Sequence, residues 1–316
     1  MDISKEAMKR RLLKFLGVKT EEEIVKEKTP KEKVIEFVKS FGSALLAALF
    51  IITFIIQNTR IPTPSMTDTI LVGDFVLVNK FIFGSSSPRY IPFTEIALPF
   101  FTLPSVREPR REDIVVFEFP GKKDELKPEE LNVNYVKRLK GLPGDTLQVK
   151  NKVVFINGKE SWIPPNVKYG YDCTPEGIAD PYIFPYGKHW NKDNYGPLVI
   201  PREGQVIPLT KENVEEWRTI IDREYGERVV GESNGKITIK DQPVESYTLK
   251  KDYFFMMGDN RDDSFDSRFW GFVARDQIVG SAFMALFSWD RDISFAHPID
   301  LLLSVRPERI LKLLNK

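Results

Sequence analysis

From Ser40 to Thr59 the chain runs twenty positions without a charged residue, rich in Phe, Leu, Ile and Ala. A helix rises about 1.5 Å per residue, so such a stretch spans a hydrocarbon layer of about 30 Å. The segment therefore predicts a transmembrane helix over 40–59. A cleaved signal peptide would need a short basic start and an apolar core of about 7 to 15 residues, and here thirty-nine largely charged residues come first. A buried core helix of this length usually keeps polar residues on one face. Thr29-Pro30-Lys31-Glu32 reads as a capping box with proline at the first helical position, so one helix should start at Thr29 and run into the membrane.

Lysines set the expected orientation. Lys26, Lys28, Lys31, Lys33 and Lys39 precede the span, and Arg60 is the only basic residue in the fifteen positions after it. The expectation is a single-pass membrane protein, in contact with the lipid bilayer, with a cytoplasmic N-terminus. Residues 1–39 form a charged helical segment, and 60–316 form one extracytoplasmic domain. Lys plus Arg (46) nearly cancels Asp plus Glu (45), which speaks against a nucleic-acid partner. The single cysteine, Cys173, excludes an intrachain disulfide and a cysteine metal cluster.

Seven stretches of that domain read as strands, among them "DFVLVNKF", "DIVVFEF", "VNYVKRL" and "FVARDQIVGSAFMALF". Asn157-Gly158 and Asn234-Gly235 mark tight turns. The fold class is mainly β, an antiparallel sheet, with Greek-key and barrel topologies both open. Residues 84–109 form a proline-interrupted loop with an apolar tip, either packed on the domain or dipping into the bilayer. Aromatic-rich residues 161–232 look like an inserted lid or subdomain, and Pro298–Lys316 like a short amphipathic helix.

A serine nucleophile needs a base. Neither His189 nor His297 lies in a motif with an acid and a serine, so a Ser-His-Asp arrangement has little support. In "NYVKRLKGLPGD" strand alternation puts Tyr135, Lys137 and Leu139 on one face and Arg138 and Lys140 on the other. Lys137 has the apolar flanks. Bringing a lysine from about 10.4 to about 7 to 8 takes burial costing its charged form roughly 3 to 5 kcal/mol. Alternation alone does not overturn the commoner readings, Lys137 as a surface strand lysine and Ser65 as an ordinary loop serine. "DNRDDSFDSR" lacks the glycine and glutamate of a calcium loop, with Ser264 at the sixth position and Trp270 at the twelfth.

"PTPSMTDTILVGDFVLVNK", "REDIVVFEFP", "YVKRLKGLPGD" and "GDNRDDSFDSRFWGFV", in this order behind an apolar segment, resemble the motifs of bacterial type I signal peptidases, membrane-bound Ser/Lys proteases. The resemblance covers residues 62–273 and implies an endopeptidase that removes signal peptides from exported precursors after Ala-x-Ala-like sites, with no cofactor or metal. It implies Ser65 as nucleophile, Lys137 as general base, and an oxyanion hole from the Thr63 hydroxyl and the Ser65 backbone N–H. It further implies that Ser264 orients Lys137, that Asp266 and Arg268 pair, and that Asp259 fixes the same turn. Ile61, Met66, Ile70, Val76, Val116, Tyr135 and Val136 match positions lining pockets for small substrate residues. One departure is Asp68, where the family usually has proline, a change expected to alter local stiffness more than chemistry. From the residues alone, a membrane-anchored β-rich binding module remains a competing reading. A self-cleaving Ser/Lys repressor is disfavoured by the apolar helix.

Overall fold

The structure is a computed structural model and describes residues 29–85, 103–129, 133–290 and 296–314, together with 99, 101, 292 and 293. The expected helical segment 1–28 and the tip of the proline-rich loop lie outside the described residues. Helix α1 is Pro30–Phe54. Its capping box forms, with Thr29 N–H donating to Glu32 Oε2 at 2.9 Å and Glu32 N–H to Thr29 Oγ1 at 3.3 Å. No side chain of α1 is buried, and its length and an 18-residue stretch with a mean hydropathy of 1.9 suit a membrane crossing.

The predicted helix over 40–59 is too long by five residues. Ile56–Arg60 is instead a strand, β1, paired antiparallel with β2 (Asp74–Asn79). Hydropathy counts side chains and is blind to where backbone N–H and C=O groups find partners. Here β2 supplies them, and Ile56 and Thr59 suit a strand.

Further along the chain come β3 (Ile114–Glu118), β4 (Asn134–Gly141), β5 (Thr146–Lys150), β6 (Val153–Ile156), β7 (Lys159–Glu160), β8 (Tyr195–Val199) and β9 (Val206–Pro208). Helix α2 (Val214–Tyr225) precedes β10 (Val230–Ser233), β11 (Lys236–Ile239), β12 (Gln242–Pro243), β13 (Ser246–Thr248) and β14 (Tyr253–Met257). The short helix α3 (Ser267–Trp270), β15 (Val273–Ala274), β16 (Ile278–Ser288), helix α4 (Pro298–Leu303) and β17 (Lys312–Leu313) complete it.

The main sheet has the order β1-β2-β16-β3-β4-β14-β15, with β17 also on β16, and its ladders are antiparallel. β3 is central and reads as a run of apolar residues because both faces are covered. Ile114 and Val116 join Val76, Val78, Val136 and Ala282 on one side, while Val115 and Phe117 join Leu139, Met256 and Trp270 on the other. Register shifts along β16 curl the sheet. Gly280 is required there, since a Cβ would come within 2.5 Å of the Asn79 carbonyl oxygen.

A second β-rich layer packs on the outer face of β14 through a core of Leu147, Tyr195, Ile200, Ile207, Ile221, Phe255 and Phe272. It corrects the expected insertion. β8 lies inside 161–232 but pairs with β5, which precedes it, so the layer starts near Thr146. The region also holds α2, ended by Gly226 in the left-handed conformation. The expected turns at Asn157-Gly158 and Asn234-Gly235 both form with positive φ. The tail departs from the expected helix as well. Pro307 interrupts it, Lys312–Leu313 add a strand edge, and Arg309 turns inward to a buried ion pair with Asp74.

Candidate active site

The site forms where the chain leaving β1 crosses the edge of β4. Ser65 sits in a single 3₁₀ turn, Pro64–Met66, that proline can start because its fixed φ suits a first helical position. Lys137 lies in mid-strand on β4, opposite Val115. The two side chains, 72 residues apart in sequence, meet with Lys137 Nζ 2.6 Å from Ser65 Oγ. Both are buried, at 3% and 7% exposure. Lys137 Nζ also donates to the Val136 carbonyl at 3.2 Å and lies 5.3 Å from the Tyr135 ring centre. Burial pushes the Lys137 amine down to about 8, and the Asp266 carboxylate opposes this only in part. Thr63 Oγ1 lies 3.5 Å from Ser65 Oγ.

The turn after β14 braces this pair. Asn260 N–H donates to the Ser65 carbonyl at 3.1 Å and its side-chain amide to Pro64 O at 3.2 Å. Asp259 takes a two-pronged contact from Arg138, at 2.8 and 2.6 Å, and accepts from Thr69 Oγ1 at 2.6 Å. Neighbouring β4 residues thus serve opposite faces: Lys137 reaches Ser65, and Arg138 holds the turn that carries Asn260. Asp266 caps α3, accepts from Gly258 N–H at 3.0 Å, and pairs with Arg268 at 2.9 and 2.8 Å. Burial would raise the Asp266 carboxyl, yet Arg268 and the Gly258 N–H hold it below the usual range.

Several expectations change. Ser264 does not bond Lys137: its hydroxyl is buried without a hydrogen bond among the described residues, close enough to Asp266 to help lower that carboxyl. It packs over Gly258, whose missing side chain makes room for both Ser264 Oγ and the Ser65 carbonyl. A cavity of about 290 Å³ opens beside the pair. Ile61, Met66, Tyr135 and Val136 line it, together with Thr63, Asp263 and Phe265. Ile70, Val76 and Val116 do not; they are fully buried behind it in the core of the sheet. Motif spacing carried no sign of Arg138, Thr69 and Asn260, whose roles depend on contacts across 121 to 196 residues.

Asp68 is the third position of a turn closed by Thr69 N–H to Met66 O at 3.1 Å, with φ of 73°. A pyrrolidine ring fixes φ near −65°, so proline cannot occupy this backbone. The departure changes backbone conformation, not only stiffness. Asp68→Pro is expected to cost about 3 kcal/mol, visible as a melting temperature lower by roughly 6–12 °C, with Asp68→Gly close to the parent.

A serine hydroxyl thus lies against a buried amine, and no histidine lines the cavity beside them. The family described as "Signal peptidase, peptidase S26" matches residues 34–287. Similar proteins include "Signal peptidase I" of Pseudomonas aeruginosa, 30% identical over 281 residues (84% of this chain, 77% of that one), and that of Buchnera aphidicola, 30% over 288 (86% and 81%). "Signal peptidase I" of Aquifex aeolicus is 30% identical over 259 residues, 77% of this chain and 80% of its own. The chain belongs to the signal peptidase family, peptidase S26, and is a serine endopeptidase.

Proposed function

We propose that the chain cleaves signal peptides from exported precursor proteins with Ser65 as nucleophile and Lys137 as general base. The observation that carries this reading is the 2.6 Å separation of Lys137 Nζ and Ser65 Oγ inside a buried setting. With its pKa at about 8, Lys137 is neutral in about a tenth of molecules at pH 7, against about one in 2,500 for a free lysine. The neutral amine takes the Ser65 proton as Oγ attacks the scissile carbonyl, then returns it to the leaving amine, and water resolves the acyl-enzyme. Thr63 Oγ1, 3.5 Å from Ser65 Oγ, and the Ser65 N–H would donate to the oxyanion, each worth about 3 kcal/mol in comparable holes.

The cavity walls of Ile61, Met66, Tyr135 and Val136 favour small apolar residues before the scissile bond, consistent with Ala-x-Ala-like sites. Helix α1 would anchor the enzyme in the bilayer, with the lysines before it on the cytoplasmic side. Labelling of Lys31 and Lys33 from one face of sealed vesicles tests the orientation; protection on the cytoplasmic face would reverse it. The function is tested on a precursor peptide carrying Ala-x-Ala. Purified enzyme should cut after the second alanine, and Ser65→Ala should leave no measurable turnover. Turnover retained in Ser65→Ala would remove the serine from the reaction.

A further inference from the structure

Asp262 stands two residues beyond Asn260, and the proposed reaction gives it no part. Its carboxylate is almost fully enclosed, with the side chain 1% exposed, and it gathers three separate segments of the second β layer. Gly170 N–H and Tyr171 N–H donate to Oδ2 at 2.8 and 3.0 Å. Lys152, at the tip of the β5–β6 hairpin, reaches the same oxygen at 2.8 Å, and Lys192 lies 2.9 Å from Oδ1. These donors hold its carboxyl well below the usual range against a burial effect that would raise it.

The gathered segment also touches the active-site turn through its backbone. Lys168 N–H donates to Asp259 O at 2.8 Å, and Arg261 N–H returns a bond to Lys168 O at 2.9 Å. Lys168 and Asn260 therefore form a short parallel bridge. Asn260 is held from two sides, by Lys168 across this bridge and by the Ser65 carbonyl and Pro64 carbonyl on the other. Three links run in series: Asp262 fastens Gly170 and Tyr171, the adjoining Lys168 clamps Asn260, and Asn260 fixes the backbone on which Ser65 is carried.

We infer that Asp262 is a positioning residue through which residues 146–199 fix the active-site turn against Ser65 and keep water from Lys137. The inference rests on the Ser65/Lys137 reading above. It gives a use to the aromatic-rich segment, which is otherwise remote from the chemistry: the Tyr169 and Tyr171 rings lie beside the carboxylate's cationic partners, with Lys152 and Lys192 at 5.5 and 5.3 Å from their ring centres. A substrate-binding role for Asp262 does not fit, since the cavity beside Ser65 is lined by Asp263 and Phe265 but not by Asp262.

Loosening the turn has two consequences that a purely structural residue would not produce. Misplacement of Ser65 lowers kcat, by about tenfold to a hundredfold for a shift near 1 Å, and leaves peptide binding in the cavity largely intact. Water admitted beside Lys137 weakens the burial that depresses its pKa, so the limb of the rate profile moves to higher pH. The charged group that acts on Lys137 is Asp266, with the Tyr135 ring alongside, and neither is altered in the variants below.

The experiment compares kcat, KM and the pH profile of full-length wild type, Asp262→Ala and Asp262→Asn on the Ala-x-Ala peptide, with Ser65→Ala as reference. Asp262→Ala is expected to lose about tenfold or more in kcat with KM within about twofold, and to move the profile up by about one pH unit. Asp262→Asn keeps one oxygen for the Gly170 and Tyr171 N–H groups and should recover most of the rate. If Asp262→Ala does not fold, Lys168→Pro, which deletes the N–H donated to Asp259 O, carries the same expectation. A folded variant with wild-type kcat and midpoint, beside an inactive Ser65→Ala, overturns the positioning role alone. An active Ser65→Ala overturns the reaction on which it rests.

Discussion

Lys137→Met is expected to abolish peptide cleavage and at the same time to make the protein harder to unfold at neutral pH. In the unfolded chain the amine titrates near 10.5, and in the folded protein near 8. Above both values it is neutral in either state and the difference costs nothing. As pH falls from 10.5 to 8, the unfolded chain takes up a proton that the folded protein resists. The destabilisation grows through that window and is complete below about pH 8, at roughly 3 kcal/mol. Methionine fills nearly the same volume and removes the charge problem. It also forfeits the bonds to Ser65 Oγ and Val136 O, each worth about 1 kcal/mol, so the net gain should be about 1–2 kcal/mol at pH 7 and should vanish or reverse above pH 10.5. Urea denaturation at pH 7 and at high pH reads both limbs. A variant less stable than wild type at pH 7 would mean that Lys137 sits in the fold as a charged, satisfied group.

The second large effect concerns the ion pair behind the site. Asp266 and Arg268 are 0% and 1% exposed and compensate each other's charge through a double contact, with Asp193 and Asp262 also attracting the Arg268 guanidinium. Asp266→Ala strands a buried guanidinium and should cost about 3–5 kcal/mol, a melting temperature lower by roughly 6–20 °C. Two charges replaced together by apolar groups need not cost as much, so Asp266→Leu with Arg268→Met should recover part of the loss. Any folded Asp266→Ala should also show its rate profile displaced to lower pH, because the carboxylate that favours the Lys137 ammonium is gone. Thermal melts of the single and double variants check the ordering. Equal stability of Asp266→Ala and wild type would show the pair to be dispensable.

Much of this was legible from the chain because the signals were local. Clusters of β-branched and aromatic residues marked β2, β3, β4 and β16, and Asn-Gly pairs marked two turns. The apolar flanks of Lys137 hinted at burial, and its burial is nearly complete. What stayed hidden depended on partners far along the chain. β1 reads as the end of a membrane helix until β2 claims its backbone, and β8 reads as part of a lid until β5 does. Alternation put Arg138 on the face opposite Lys137 but could not name its partner, which is 121 residues away. Ile70, Val76 and Val116 share the apolar character of the cavity walls, and only depth behind the sheet separates them from Ile61 and Met66. Asp68 carried a local signal, since aspartate tolerates the left-handed conformation that proline cannot adopt.

A serine that lacks a histidine is reactive only if the amine beside it can shed its proton near neutrality. The most direct measurement is kcat/KM for the Ala-x-Ala peptide from pH 6 to pH 11, together with the midpoint of its rising limb. A single ionisation centred near pH 8, absent in Lys137→Met, is the predicted result. A midpoint near 10, where an unburied lysine titrates, or a rate indifferent to pH across that range, would contradict it.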